Sequence, residues 1–430
     1  MKINFRFLTL VTCLLLFIIT GRAQQLEYAR QIVDTLASPY MKGRGYVGKG
    51  NRIAARYIEN EFKNAGLVPL RKDYTQKFKV SVNTFPGKMI CILGTDTLFP
   101  GRDFLVDPAA SGIHGNYQVI SIERNELLDN EKLMPFLKKA DGKFLLIDNR
   151  NFKNENKEEK IKTENTIRYI QCNPELKNAG TILLTDKKLD WYPSTFRIEK
   201  AGIILNKELS PEKIKNINIF VQNKFIKRFR TQNVVGVIRG TNLPDSFLVI
   251  TAHYDHLGMM GKKTLFPGAN DNASGTAMLL NLARYYSKNP PRISMVFISL
   301  GAEELGLLGA SYFVEHPLID LKKIKFLINF DLAGTGNDGI KVVNGSVYNR
   351  KFEKLQELND DFHLLPAVKI RGEACNSDHC IFYQHGVPCF YIYTLGGISA
   401  YHDIYDRRET LPLTEFDNYF KLITKFLDTF

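Results

Sequence analysis

The sequence predicts an α/β protein with a mostly parallel central sheet flanked by helices and an inserted, mainly β domain. Three observations lead there. The runs "SFLVITAH", "RISMVFISL" and "KFLINFDLA", followed later by "VPCFYIYT", are each of strand length and apolar on both faces. Helical segments separate them, and strands that are apolar throughout and alternate with helices indicate a parallel sheet covered on both sides. Between about Pro100 and Arg230 the texture differs: short apolar runs ("GKFLLID", "GTILLT", "AGIIL", "INIFVQ") sit between polar clusters.

Taken in order, the opening "MKINFRFLTLVTCLLLFIITGRAQ" carries Lys2 and Arg6, an apolar run from Phe7 to Thr20, and small residues at Gly21 and Ala23. This reads as a signal peptide over 1–23 and predicts export to the periplasm or the extracellular space. The run is shorter than the roughly 20 apolar residues of a membrane span, and no later segment is a better candidate, so no membrane anchor is expected. Residues 24–99 hold two helices, "LEYARQIVDTLAS" and "NRIAARYIENEFKNAGLVPL", the second stopped at Ala65-Gly66. They also hold the first part of the main domain, where Tyr74–Leu93 reads as a hairpin turning at Pro86-Gly87. Residues 100–230 form the insert, with "NKEEKIKTEN" as a charge-dense surface segment, and 231–430 the α/β domain. The last helix places Phe416, Tyr419, Phe420, Ile423, Leu427 and Phe430 on one face, and Thr414 with Asp417 resembles a capping box.

At 430 residues and 44% apolar content the chain can bury a large core. The net charge is +13, of which a surplus of 7 falls between Ser121 and Arg230 (23 Lys and Arg against 16 Asp and Glu), a pattern suited to solvated, lysine-protected edges. No nucleic-acid-binding motif is present. Beyond the leader lie Cys91, Cys172, Cys375, Cys380 and Cys389, an odd number that leaves at least one thiol free. Export makes disulfides possible, and Cys375 with Cys380 is the short-range pair.

The ends of the predicted strands carry the chemistry. The first ends in His253 and Asp255 ("AHYDHLG"); a Gly- and Asn-rich loop sets Asp271 before a helix ("PGANDNASG"); the next strand ends in Glu303 and Glu304; the next in Asp331 ("NFDLAG"); and the loop after the last carries His402 ("AYHDIYD"). Open α/β sheets bind ligands at this rim. Each residue has an ordinary explanation alone, as a helix cap, a turn former or a core histidine. Together they would bury so much charge that a cation is the natural remedy. Two imidazoles and three carboxylates exceed the three protein ligands of a tetrahedral catalytic zinc, whereas two metals roughly 3.5–4 Å apart, sharing a bridging carboxylate, use all five.

The segments "HYDHLG", "GANDNASG", "GAEELGLLGAS", "NFDLAG", "SDHCIF" and "YHDIYD" resemble, in order and spacing, the co-catalytic dizinc exopeptidases that include secreted bacterial leucyl aminopeptidases and glutamate carboxypeptidase II. The N-terminal "KGRGYVGKGNRIAARYIENEFKNAGLVP" is similar to members with a protease-associated inserted domain. The resemblance implies two Zn2+ ions: His253 and Asp331 on one, Glu304 and His402 on the other, and Asp271 bridging. It implies Glu303 as the general base acting on a water held between the ions. Asp255 is implied to orient the His253 ring, and the Asp271–Asn272 peptide to be cis. It assigns His256 no metal role and sets His379 near the site. His114, His316, His363 and His385 are expected to be ordinary. The implied activity is hydrolysis at peptide chain ends, as an aminopeptidase acting on a peptide or small peptide-like substrate. Glutaminyl cyclase-like or carboxypeptidase activity, and a non-catalytic binding role like that of the transferrin receptor, are the alternatives on this scaffold. The sequence leaves the oligomeric state open.

Overall fold

The computed structural model describes residues 25–150 and 156–430, so the expected signal peptide lies outside the described residues. The central sheet has eight strands in the order Thr75–Thr84, Lys224–Ile238, Ile293–Leu300, Leu243–His253, Ile324–Phe330, Cys389–Thr394, Ile340–Val343, Val368–Ile370. Its middle is parallel: Val249 pairs with Val296 on one side and Leu327 on the other, and Ile328 pairs with Phe390. Antiparallel pairings flank it on both sides.

Alternation along these strands feeds two cores, because successive side chains point to opposite faces. Leu248, Ile250, Met295, Phe297 and Ile328 pack against the helices spanning 25–36, Gly50–Asn64, Gly275–Lys288 and Phe416–Leu427. Val249, Val296, Ile298 and Leu327 pack against Leu308–Glu315 and His379–Gln384. Ile293–Leu300 is buried at every position, which is why it reads as an unbroken apolar run. The last helix buries Phe416, Tyr419, Phe420, Ile423, Phe426 and Leu427, each such side chain stabilising by about 1.5–3 kcal/mol. Its expected capping box does not form: the helix starts at Phe416 with Glu415 as N-cap and no side-chain cap.

The segment Tyr74–Leu93 is not a hairpin. Thr75–Thr84 pairs with Lys224–Ile238, and Met89–Leu93 pairs with Asn216–Val221 in a second sheet. The chain leaves the central sheet after Thr84 and returns at Lys224, and these two residues face each other in register, so the insertion leaves the ladder intact. The second sheet runs Asp96–Thr97, Met89–Leu93, Asn216–Val221, Ile113–Glu123, Phe144–Asp148, Gly180–Leu184, Ala201–Leu205, Phe104–Val106. It combines parallel and antiparallel pairings. Ile113–Glu123, Phe144–Asp148, Gly180–Leu184 and Ala201–Leu205 are parallel, which demands crossovers. Asn130–Lys138 and Lys157–Cys172 provide two of them as helices, and "NKEEKIKTEN" is the start of the second. The two lobes share apolar contacts: Leu257, Met260 and Phe266 of the α/β lobe pack within the core of the second sheet, where Trp191 stacks on Phe266 with centroids 5.3 Å apart.

Candidate metal centre

Each candidate side chain sits where its element stops. His253 is the last residue of Leu243–His253. Glu303 and Glu304 follow Ile293–Leu300 after a sharp turn in which Ala302 has φ +61°. Asp331 follows Ile324–Phe330. Asp271 lies in Ala269–Ser274, ahead of the helix Gly275–Lys288, and the Asp271–Asn272 peptide is cis. Glycine is required at 275: a Cβ there would collide with the Asn272 side chain and lie 2.7 Å from the Phe330 carbonyl oxygen. That close approach brings the Asp271 segment against the strand that ends at Asp331.

The five residues converge. The Asp271 carboxylate lies between the two imidazoles, Oδ1 3.5 Å from His253 Nε2 and Oδ2 2.9 Å from His402 Nε2. Asp331 Oδ2 is 3.3 Å from His253 Nε2, and Glu304 Oε2 is 3.3 Å from His402 Nε2. Ligand-type atoms of His253, Glu303 and Asp331 lie within 4.8 Å of one another, as do those of His253, Asp271 and Glu304.

Burial sets the electrostatics. Desolvation pushes the Glu303 and Glu304 carboxyls well above the usual carboxylate range and raises Asp331 too. Desolvation also opposes ionisation of Asp271, but the hydrogen bond from His402 and the surrounding imidazoles prevail and hold it low. His253 is likewise disfavoured as a cation by burial, yet Glu303 and Asp331 raise it well above its ordinary value. Asp271 Oδ1, Asp331 Oδ1 and His402 Nδ1 are buried with no hydrogen-bond partner among the described residues. A buried donor set of carboxylate oxygens and imidazole nitrogens, with three of its polar atoms unpartnered, suits divalent zinc.

One expected detail differs. The Asp255 carboxylate does not take the His253 ring hydrogen: His253 Nδ1 meets the Asp255 backbone carbonyl at 3.2 Å. The carboxylate instead accepts the Glu303 N–H at 3.1 Å and the Tyr46 hydroxyl at 3.1 Å, which anchors the turn bearing both glutamates. His256, expected to have no metal role, sets its Nδ1 2.8 Å from Glu304 Oε1, and burial keeps it from protonating. The Cys375–Cys380 disulfide forms beside Ser377, whose hydroxyl donates to Asp331 Oδ2 at 3.3 Å. His379 meets the Ala374 carbonyl and stacks near Tyr391, with centroids 4.9 Å apart.

Several contributors escape sequence reading. Arg44 is fully buried and donates to the carbonyls of Leu36, Tyr254, Pro267, Gly268 and Asp271. Burial lowers its pKa to about 10, which leaves it charged. The Asp406 carboxylate accepts the N–H groups of Asn270 (2.8 Å) and Asp271 (2.9 Å), and burial pushes it to about 7. Asp378, wholly buried beside the cluster, is pushed by desolvation to about 8. The acidic pair in "YHDIYD" was a visible signal for Asp406; Arg44 had none beyond the glycines around it.

Three carboxylates and two imidazoles gathered at the ends of a largely parallel sheet make a candidate carboxylate–histidine metal centre. Residues 233–427, which contain all of it, match the sequence profile of Peptidase family M28. The chain is similar to Aminopeptidase YwaD of Bacillus subtilis, 32% identical over 38% of this chain and 36% of the relative. It is also similar to a probable leucine aminopeptidase of Arthroderma otae, 27% identical over 47% of this chain and 57% of the relative. The chain thus spans about a third to somewhat over half the length of these curated relatives. In fold it is similar to BSAP, a zinc aminopeptidase from Bacillus subtilis, with TM-score 0.69 and 19% identity over 93% of this chain and 94% of that one.

Proposed function

We propose that the protein is an exported zinc-dependent exopeptidase, an aminopeptidase with two zinc ions in its site. The observation that carries the reading is the Asp271 carboxylate lying between the His253 and His402 imidazoles, with Asp331 and Glu304 flanking. His253 and Asp331 would hold one ion, Glu304 and His402 the other, and Asp271 both. When bound, zinc polarises a scissile carbonyl and lowers the pKa of water.

The protein's own groups do the rest. Glu303 is anchored through its N–H to Asp255 and is half-buried, its carboxyl held well above the usual carboxylate range by desolvation. One of its oxygens takes a proton from the attacking water and delivers it to the departing amine nitrogen, a single group serving as base and then acid. Asp255 and Tyr46 fix the turn, and His256 orients Glu304. The insert, of protease-associated type in this reading, covers one side of the site and limits access to short peptides.

Aminopeptidase specificity is supported by the names of the relatives. A panel of aminoacyl, N-blocked and C-terminal glutamyl substrates, assayed with and without a chelator, tests it. Chelator-sensitive release from the aminoacyl substrates alone is expected. Cleavage of the glutamyl substrates alone, cyclisation of N-terminal glutamine, or no turnover with zinc bound would each contradict it.

A further inference from the structure

A lysine of the inserted lobe grips the loop that carries His402. Lys188 follows the strand Gly180–Leu184 of the second sheet. Its ammonium lies 2.7 Å from Asp403 Oδ2, and it donates to the carbonyls of Tyr401 (2.7 Å) and Ser399 (3.3 Å). An ammonium has three donors, and Lys188 directs them to a loop more than 200 positions away in sequence. Asp190 Oδ1, in its own lobe, lies 3.3 Å from the same nitrogen. Three positions on, the Trp191 N–H donates to the His402 carbonyl at 3.0 Å. The Trp191 indole is locked by a bond to the Val106 carbonyl and by its stack on Phe266.

These contacts reach both ends of the metal centre. Asp403, whose side chain is 5% exposed, receives Lys188 on Oδ2 and the N–H groups of Tyr405 and Asp406 on Oδ1. Asp406 in turn holds the amides of Asn270 and Asp271. The chain of contacts therefore runs from Lys188 through Asp403 and Asp406 to the backbone of the carboxylate between the two imidazoles. His402 itself has φ +52°, and its Nδ1 has no hydrogen-bond partner among the described residues. Ligating histidines are ordinarily oriented through that second nitrogen. Here the ring is held between Tyr401, stacked at 4.0 Å, and Tyr192 of the inserted lobe at 4.4 Å, and the backbone beneath it is fixed by Lys188 and Trp191.

We propose that Lys188 is a positioning residue: the inserted lobe, through this side chain, sets the placement of His402 and Asp271 and so the affinity of the site for zinc. The inference rests on the zinc-peptidase reading and adds that the insert helps build the metal site as well as covering it.

The test compares wild type, Lys188→Met and Lys207→Met by chelator competition for bound zinc and by thermal melting of the chelated protein. Lys207 makes an ion pair of equal length, 2.7 Å to Asp96, that stays within the insert, and serves as the control. Wild type and Lys207→Met should hold two equivalents alike. Lys188→Met should release zinc at a chelator concentration roughly 10- to 100-fold lower, the usual effect of losing an outer support of a ligand, with the melting temperature of the chelated protein unchanged. Equal retention in Lys188→Met overturns the inference and leaves the peptidase reading standing. A matching fall in the chelated protein's melting temperature marks general destabilisation and also overturns it. Failure of wild type to bind zinc overturns both.

Discussion

Glu303 and Glu304 are neighbours in sequence with different partners. Glu304 reaches His256 and His402, while Glu303 groups with His253 and Asp331. Replacing Glu303 by Gln keeps the shape and removes the proposed base, so turnover should fall by roughly 10²–10⁴-fold while zinc content, read by metal analysis, stays at the wild-type level. His402→Ala should lose about one equivalent, because it withdraws an imidazole that zinc favours. Arg44 makes a different prediction: lysine cannot satisfy five carbonyls, and each buried carbonyl left unpaired costs about 1–3 kcal/mol. Arg44→Lys should therefore lower the denaturant midpoint sharply, with no direct loss of a zinc ligand. The five convergent ligand-type residues were legible because each closes a strand or opens a helix, positions that periodicity can locate. Arg44 and Asp406 were not, since they act on backbone groups with no side-chain spacing to announce them. For Asp255 the sequence shows the right neighbourhood and not the bond it makes, because orientation within a turn is set by packing.

Among the elements, the helix Gly275–Lys288 decides the site, since its first turn presses on Phe330 and leaves Asp271 facing His253. Gly275→Ala should displace that turn. An overpacking cost of about 1–3 kcal/mol is expected in unfolding measurements, together with weaker zinc retention. The central strands were legible as uninterrupted apolar runs, for the reason seen at Ile293–Leu300, which is buried at all positions. The expected hairpin failed because pairing is non-local: the partner of Thr75–Thr84 lies across the whole insertion. The helix Lys157–Cys172 was hidden by its charge. Only Thr163, Ile167 and Ile170 are buried, a stripe too narrow to stand out against the polar residues between them.

For the molecule as a whole, the buried acids give a pH signature. Asp378 and Asp406 are pushed to about 8 and about 7 in the folded chain, against about 3.9 when unfolded. The folded state thus holds protons that the unfolded state has released, so this stabilisation is present at low pH and is lost as pH rises through 7 to 8. Metal-free protein should melt at a lower temperature at about pH 8 than at about pH 5. Zinc should reverse the trend, since it binds only the folded site and favours ionised carboxylates; melting curves at both pH values, with zinc and with chelator, check this. The central claim is that one carboxylate joins two metal positions. Anomalous diffraction at the zinc edge from crystals of the zinc-loaded protein tests it most directly. Two peaks are expected, one on each side of the Asp271 carboxylate, the first against His253 and Asp331 and the second against Glu304 and His402. A single peak away from Asp271, or none, would contradict it.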